Sequence, residues 1–236
     1  MFWWIFATLC AFFVKGLCGF ANSLVFTTLL SFGNNNVSIS PIELLLGYPS
    51  NLIISLRERK SIQWKMCIPL ALLVIAGSIP GVFFLKNMDT SLIKKVFGIV
   101  IVFIGFEMFL REYQKKKAKE SKALLLFIGV LSGILCGLYG VGAVLSAYIN
   151  RVTDDSSSFK ANICMVFVIE NTFRIILYSI WRILTLDVIR RVLSLAPFMI
   201  LGLSLGIFSG KFIKESIVQK LVILLLIISG VALILR

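Results

Sequence analysis

Histidine is absent from this chain of 236 residues, and acidic residues are few, with 11 Asp and Glu against 24 Lys and Arg. The absence of histidine removes the commonest metal ligand and the commonest proton carrier near neutral pH. Neither a metal-ligand spacing nor a pair of carboxylates within the apolar stretches replaces it. We therefore expect no metal, no other cofactor and no catalytic residue, and an enzyme is the least favoured class.

Two further absences narrow the possible energy sources. The phosphate-binding pattern GxxxxGK[ST] occurs nowhere in the chain, so this chain has no recognisable ATP site of that kind. The five cysteines include no CxxC pair and lie in apolar stretches, as buried thiols do. Any energy coupling is expected to come from an ion gradient or from a partner chain.

The chain is rich in apolar residues. They make up 59% of it, charged residues make up 15%, and the mean hydropathy is +1.00. This composition is typical of an integral membrane protein. A formal charge of +13 would favour nucleic acid in a soluble chain, but the Lys and Arg residues cluster between apolar stretches, as the positive-inside rule predicts. We expect a multi-pass protein of the inner (plasma) membrane of the cell, with the lipid bilayer and not nucleic acid as its surroundings.

The first apolar run, residues 1–31, is interrupted by Lys15, Gly16 and Gly19. A single helix of this length would measure about 47 Å, against a hydrocarbon core of about 30 Å. Glycine relaxes a helix, and lysine is costly at membrane depth, where irregular backbone is tolerated only beside protein or a cavity. We therefore predict two half-membrane helices that meet at a polar tip, with the first helix ending before Lys15.

The second half of the chain repeats the first. Residues 77–111 match residues 202–236 without a gap, which indicates an internal repeat. A second glycine tip corresponds to the first one. The aligned glycines are Gly77 with Gly202, Gly81 with Gly206, Gly16 with Gly137, and Gly19 with Gly140.

The repeat predicts an all-α integral membrane protein of two homologous halves. Residues 1–111 form the N-terminal repeat, residues 112–122 a charged linker, and residues 123–236 the C-terminal repeat. Each half has a glycine-broken or re-entrant helical hairpin and three transmembrane helices. A re-entrant hairpin makes the repeat inverted, whereas a single crossing makes the halves parallel, and the Lys and Arg distribution fits both. Because each hairpin segment is too short to span, we favour the inverted repeat, a common plan among transporters.

Helices that begin at the two tips direct free backbone N–H groups towards the middle of the protein. A helix N-terminus carries roughly half a positive charge, so two that converge form a site for an anion. Glycine lets an oxyanion approach the backbone, and Lys15 and Asn22 add a charge and a donor. The alternative is that the glycines permit tight helix packing and that Lys15 extends to a surface. The candidate binding residues at the tips are Lys15, Gly16, Gly19, Asn22, Gly137, Gly140 and Gly142.

A second cluster, Glu170, Asn171 and Arg174, lies inside an apolar segment. Charges at membrane depth indicate a functional site, and the planar donor fork of Arg174 suits an oxyanion. Glu170 is the candidate for proton coupling. Because it lies four residues before Arg174 on one helical face, the alternative is a neutralised structural ion pair.

Asn171 aligns roughly with Asn51, which lies in a proline-containing apolar segment of the first half. We predict that these two asparagines complete a binding cavity between the halves. Glu43 and Glu107 lie at the ends of apolar segments and are expected at the membrane interface.

The glycine motifs at residues 15–22 and 137–143, the size of the chain and its two halves resemble the sulfite exporter (TauE/SafE) family of small membrane permeases. The family pattern has glycines where this chain has Phe20 and Ala21. The resemblance covers nearly the whole chain and implies a secondary transporter for small sulfur-containing anions such as sulfite or organosulfonates. A non-transporting scaffold and an anion channel are the alternatives, and the oligomeric state is open.

Overall fold

The computed structural model describes five continuous stretches and scattered residues between 92 and 110 and between 212 and 234. The stretches are residues 1–31, 36–87, 122–140, 142–153 and 155–210. The predicted linker, apart from Lys122, lies outside the described residues, and so does Glu107.

Within these stretches the chain forms helices and turns and no strand, which confirms the all-α prediction for this part. A short 3-10 helix, Arg59–Ser61, joins the third and fourth helices. In chain order the helices are α1 (Phe2–Cys18), α2 (Asn22–Ser31), α3 (Asn36–Arg57), α4 (Trp64–Asn87), α5 (Lys122–Tyr139), α6 (Ala143–Val152), α7 (Ser156–Ile180) and α8 (Leu186–Ser209).

Helices α3, α4, α7 and α8 are long and apolar enough to cross a membrane. Helices α1 and α5 are apolar but shorter, and α2 and α6 have 10 residues each, about half of a bilayer. Large apolar side chains such as Leu72, Phe83, Leu193 and Leu205 are exposed on α4 and α8. Because so extensive an apolar surface suits lipid and not water, the chain is a membrane protein.

Helices α1 and α2 form a hairpin. The indole N–H of Trp3, near the start of α1, donates to the carbonyl of Leu29, near the end of α2, at 2.9 Å. The rings of Trp4 and Phe26 meet edge to face with their centroids 6.0 Å apart. Helix α2 therefore runs back along α1 and does not continue in its direction.

The two hairpin tips, which we call tip 1 (residues 18–22) and tip 2 (residues 139–143), share a left-handed glycine directly after the first helix. Gly19 ends α1 with φ 81° and Gly140 follows α5 with φ 72°, a region that glycine adopts without strain. The Gly19 N–H donates to the Lys15 carbonyl at 2.7 Å, and the Gly140 N–H to the Cys136 carbonyl at 2.8 Å. Because α1 continues to this turn, the prediction that it ends before Lys15 is wrong.

The first helix of each hairpin packs closely on a helix of the other half. A Cβ added to Gly16 in α1 would lie 2.5 Å from the Leu203 carbonyl oxygen of α8. A Cβ added to Gly137 in α5 would lie 2.6 Å from the Ser78 carbonyl oxygen of α4. Backbones come this close only where small residues face each other. The facing glycines are Gly206 in α8 and Gly81 in α4.

Helices α3 and α7 cross the centre of the molecule and run antiparallel. The hydroxyls of Ser40, near the start of α3, and Tyr178, near the end of α7, are 2.9 Å apart. At the opposite end, the backbone N–H of Gln63 donates to Asn162 Oδ1 at 2.7 Å. These hydrogen bonds hold the two ends of the pair together, and the buried charged residues Glu43, Glu170 and Arg174 lie on its two helices.

Candidate functional site

Four charged residues are buried where the hairpin tips meet α3 and α7. Their exposed fractions are 1% for Lys15, 3% for Glu43, 0% for Glu170 and 2% for Arg174. Two cations and two carboxylates cancel formally, which limits the cost of holding charge inside a membrane protein. Three separate helices, α1, α3 and α7, bring these side chains together.

Lys15 lies between two asparagines. Its Nζ donates to Asn51 Oδ1 at 2.7 Å and to Asn22 Oδ1 at 3.0 Å. Amide oxygens accept these hydrogen bonds without neutralising the ammonium charge. Lys15 is therefore held inside the protein, and the alternative in which it extends to a surface is wrong.

Glu43 lies against the N-terminus of α2. Its Oε1 accepts hydrogen bonds from Asn22 Nδ2 at 2.7 Å and from Ser23 Oγ at 2.6 Å. Its Oε2 lies at tip 2, where a Cβ added to Gly140 would be 2.6 Å away. The prediction that Glu43 lies at the membrane interface is wrong, because α3 begins at Asn36 and carries Glu43 about two turns inward.

Arg174 connects both carboxylates to tip 2. Its Nη2 lies 3.9 Å from Glu43 Oε2, and its Nε lies 3.6 Å from Glu170 Oε1. Nη1 donates to the Cys136 carbonyl, which also accepts the N–H that closes the tip 2 turn, and Nη2 donates to Asn171 Oδ1 at 3.1 Å. The guanidinium thus combines the predicted ion pair with a structural support for the tip.

Two buried atoms of this cluster, Glu170 Oε2 and Arg174 Nε, have no hydrogen-bond partner among the described residues. Ser78 Oγ donates to the other oxygen of Glu170 at 3.0 Å. Because a buried polar atom without a partner is costly, the two atoms indicate a bound water or ligand. Glu170 and Arg174 are among the residues that line a cavity of about 10 Å³, which holds about one water molecule. Six predicted residues line this inner cavity: Asn22, Asn51, Gly140, Glu170, Asn171 and Arg174.

A larger cavity of about 640 Å³, which we call the vestibule, opens beside tip 1. Gly19 and Lys160 line it, together with Arg57 at the end of α3. Lys160 Nζ donates to the Leu17 carbonyl at 2.8 Å, and a Cβ added to Gly19 would lie 2.5 Å from Lys160 Cγ. The Lys160 side chain therefore covers tip 1 and separates the vestibule from the interior.

The chain matches the family model described as Sulfite exporter TauE/SafE over residues 4–235. It belongs to this family. A curated relative of the TauE/SafE chain, named a probable membrane transporter protein, comes from Methanocaldococcus jannaschii and is 32% identical over 86 residues. That match covers 35% of this chain and 32% of the relative, so the chain spans about a third of the relative's length. No solved structure matches the chain.

In this TauE/SafE protein the remaining glycines of the tips lie outside the inner cavity. Gly16 and Gly137 lie against helix backbone, as the packing alternative predicts, and Gly16 and Gly19 both line the vestibule. Gly142 lies beside Phe167, one of the residues that line the inner cavity. Binding roles for these four glycines stay predictions.

Two charged residues that contact the tips of the TauE/SafE chain, Glu43 and Lys160, were not among the predicted site residues. Glu43 precedes Gly47 by four residues and Asn51 by eight, so helical spacing could have put the three on one face. Asp155 caps α7 by accepting from the Ser158 N–H at 2.8 Å. Reading Asp155 as a helix N-cap would have put Lys160 inside α7 and not in a loop.

Proposed function

We propose that this chain is a secondary transporter that moves a small anion, of the sulfite or organosulfonate type, across the inner (plasma) membrane of the cell. The family description and the name of the relative support transport. The sulfur chemistry rests on the family description alone. One observation supports an anion as the substrate. Arg174 is buried, its Nε lacks a hydrogen-bond partner among the described residues, and the residue lines a cavity at tip 2.

The groups around the inner cavity suit an oxyanion. The guanidinium of Arg174 offers charge-assisted donors, and Asn22 and Ser23 bring neutral donors at the start of α2. Lys15 adds a second cation through its hydrogen bond to Asn51. The cavity has room for about one water molecule, so an anion of several heavy atoms requires the site to widen.

The widening fits an inverted repeat whose halves rock against each other. The aligned asparagines Asn51 and Asn171 lie on α3 and α7, which run antiparallel, as equivalent helices do in an inverted repeat. Helix α5 runs parallel to α4 and α1 runs parallel to α8, with aligned glycines at both interfaces. These contacts support alternating access around the central network.

The test is sulfite flux into liposomes that contain the purified protein. We compare the wild type with Lys15→Gln and with the double variant Arg174→Gln, Glu170→Gln, which removes both members of the ion pair and keeps the net charge. Each is expected to lower the flux about tenfold or more, since a hydrogen bond to a charged group contributes about 1.5–3 kcal/mol. The control is Asp187→Asn, at a carboxylate whose side chain is 88% exposed.

The alternatives predict other outcomes. Wild-type flux that neither variant changes would remove Lys15 and Arg174 from the site. No wild-type flux of sulfite or of a simple organosulfonate would favour another anion or a non-transporting scaffold. In liposomes loaded with labelled sulfite, external sulfite speeds the efflux of the label if the protein is a carrier. An efflux that external sulfite does not speed would favour a channel.

A further inference from the structure

The Glu43 carboxylate occupies a position that suits a bound anion. It accepts hydrogen bonds from Asn22 and Ser23 at the first turn of α2 and lies near Arg174. It also lies against Gly140, in the space that the missing side chain leaves at tip 2. A carboxylate is itself a small oxyanion, so Glu43 takes up the donors that a transported oxyanion would use.

Charge balance adds a constraint on binding. Lys15 and Arg174 are balanced by Glu43 and Glu170 in a region where all four are at most 3% exposed. An additional monoanion would leave one uncompensated negative charge at membrane depth, which is costly. If one carboxylate takes up a proton as the monoanion arrives, the balance is kept.

Glu43 and Glu170 differ in their suitability for this step. Glu170 accepts from Ser78 and pairs with Arg174 on its own helix, and it holds none of the donors of α2. Glu43 holds two donors of α2 and packs beside Gly47, where a Cβ would lie 3.1 Å from its Oε1. Release of either carboxylate frees Arg174, but only release of Glu43 also frees Asn22 and Ser23.

We propose that Glu43 is a resident anion that a proton displaces, so that protonation of its carboxyl group frees Asn22, Ser23 and Arg174 for the transported anion and couples one proton to each monoanion. The proton binds to the carboxylate, and no other bond forms or breaks. The step rests on the proposed function and assigns the coupling to Glu43 in place of Glu170.

Several groups around Glu43 set the conditions of this exchange. The charged and titratable ones are Lys15 from α1, Cys136 from α5, and Glu170, Arg174 and Tyr178 from α7. The two cations favour a carboxylate at this position until an anion takes its place. Binding of the anion and binding of the proton therefore favour each other.

The experiment measures methanesulfonate binding to the detergent-purified protein by calorimetry between pH 5.5 and pH 8.5. Methanesulfonate remains a monoanion throughout this range. For the wild type we expect uptake of one proton per bound anion and a Kd that weakens about tenfold per pH unit at the alkaline end. In Glu43→Gln, whose amide resembles the protonated carboxyl group, proton uptake and the pH dependence of the Kd are expected to disappear. Asp187→Asn, at the exposed carboxylate used as the control above, is expected to keep both. Glu170→Gln leaves Glu43 in contact with Asn22 and Ser23, so it is expected to keep the proton uptake, whereas its Kd changes because Arg174 is released.

The remaining outcomes separate this inference from the proposed function. If the wild type binds neither methanesulfonate nor sulfite, the proposed function fails. If the wild type binds only sulfite, the same comparison is made with sulfite. Sulfite itself takes up a proton in this pH range, but that contribution is the same for the wild type and every variant. A folded Glu43→Gln that keeps the wild-type pH dependence, or that binds no anion, overturns the role of Glu43.

Should Glu43→Gln not fold, Glu43→Asp replaces it. The shorter carboxylate is withdrawn from Asn22 and Ser23, so we expect the midpoint of the pH dependence to move by about one unit, the equivalent of one lost hydrogen bond. An unchanged midpoint would overturn the proposal.

Discussion

Tip 1 and tip 2 share the left-handed glycine that follows their first helix and differ in what covers them. Gly19 and Gly140 take the same left-handed turn, with φ 81° and φ 72°. Lys160 covers tip 1, beside a vestibule of about 640 Å³. Glu43 and Arg174 cover tip 2, beside a cavity of about 10 Å³. The two first helices thus end in the same way, and side chains from α3 and α7 give the two tips different surroundings.

The different surroundings of the two tips suggest different roles for them. Tip 1 meets an open cavity whose lining includes Lys160 and the ion pair of Arg57 with Glu58. Tip 2 meets the buried charges, a position that suits the binding of an anion. We expect substitutions at tip 2 to affect stability and binding strongly, and substitutions at tip 1 to have weaker effects.

The largest contrast is expected between the cations of the two tips. Arg174→Gln leaves Glu43 and Glu170 buried without their partner, and we expect a loss of about 3–5 kcal/mol in the free energy of unfolding. Lys160→Gln removes one hydrogen bond to the Leu17 carbonyl beside an open cavity, with an expected loss of about 1 kcal/mol or less. Thermal unfolding of both variants in one detergent measures the contrast.

The charge-balanced variant provides the control for this comparison. Arg174→Gln combined with Glu170→Gln is expected to recover part of the loss, because it removes one of the two unpaired carboxylates. Equal losses for Arg174→Gln and Lys160→Gln would contradict the distinction between the tips.

The next effect concerns the helix interfaces behind the tips, where the halves are expected to behave alike. Gly16→Ala and Gly137→Ala would push Cβ atoms to 2.5 Å and 2.6 Å from carbonyl oxygens, so each is expected to cost about 1–3 kcal/mol. Gly210→Ala is the control, because its Cβ would lie 3.5 Å from the nearest atom. A stable Gly137→Ala beside an unstable Gly16→Ala would disprove the equivalence of the interfaces.

A smaller effect separates the tips by function. Gly19→Ala and Gly140→Ala both force alanine into a left-handed turn, at a cost of about 1–2 kcal/mol each. At Gly140 the new methyl group also displaces the Glu43 carboxylate, whereas at Gly19 it meets the flexible stem of Lys160. We expect the methanesulfonate Kd to change in Gly140→Ala only, and a change of similar size in Gly19→Ala would contradict this.

The smallest effect is a gain in stability at tip 1. Ala21 has φ 71°, a conformation that alanine adopts only with strain. Ala21→Gly is expected to stabilise the protein by about 0.5–1 kcal/mol, the net of relieved strain and a more flexible unfolded chain. A lower unfolding temperature than that of the wild type would count against strain at this residue.

The glycine spacing was sufficient to predict the hairpin tips and the helical class, because glycine and lysine in an apolar run leave few alternatives. The end of α1 could not be predicted from the same signal. Gly16 lies inside the helix because it packs on α8, a contact between residues far apart in the chain. A local rule treats that glycine as a break, and only the tertiary contact reveals its role.

The site was predicted unevenly for a similar reason. Arg174, Asn171 and Asn51 stood out as polar residues in apolar segments, and all three line the inner cavity. Glu43 did not, because the polar residues before it resemble a loop, whereas α3 already begins at Asn36. Hydropathy detects the apolar middle of a membrane helix and misses a polar residue near its start that the protein itself buries.

The first helix of each hairpin packs on a helix from the other half of the chain, and this arrangement limits how the protein can be divided. Helix α1 lies on α8, and α5 lies on α4, so each half completes its glycine surface only with a helix of the other half. A half made alone would lack that partner unless a second copy entered the bilayer upside down. Separately produced halves are therefore expected to need each other in one membrane, as two chains that assemble into a single folded unit.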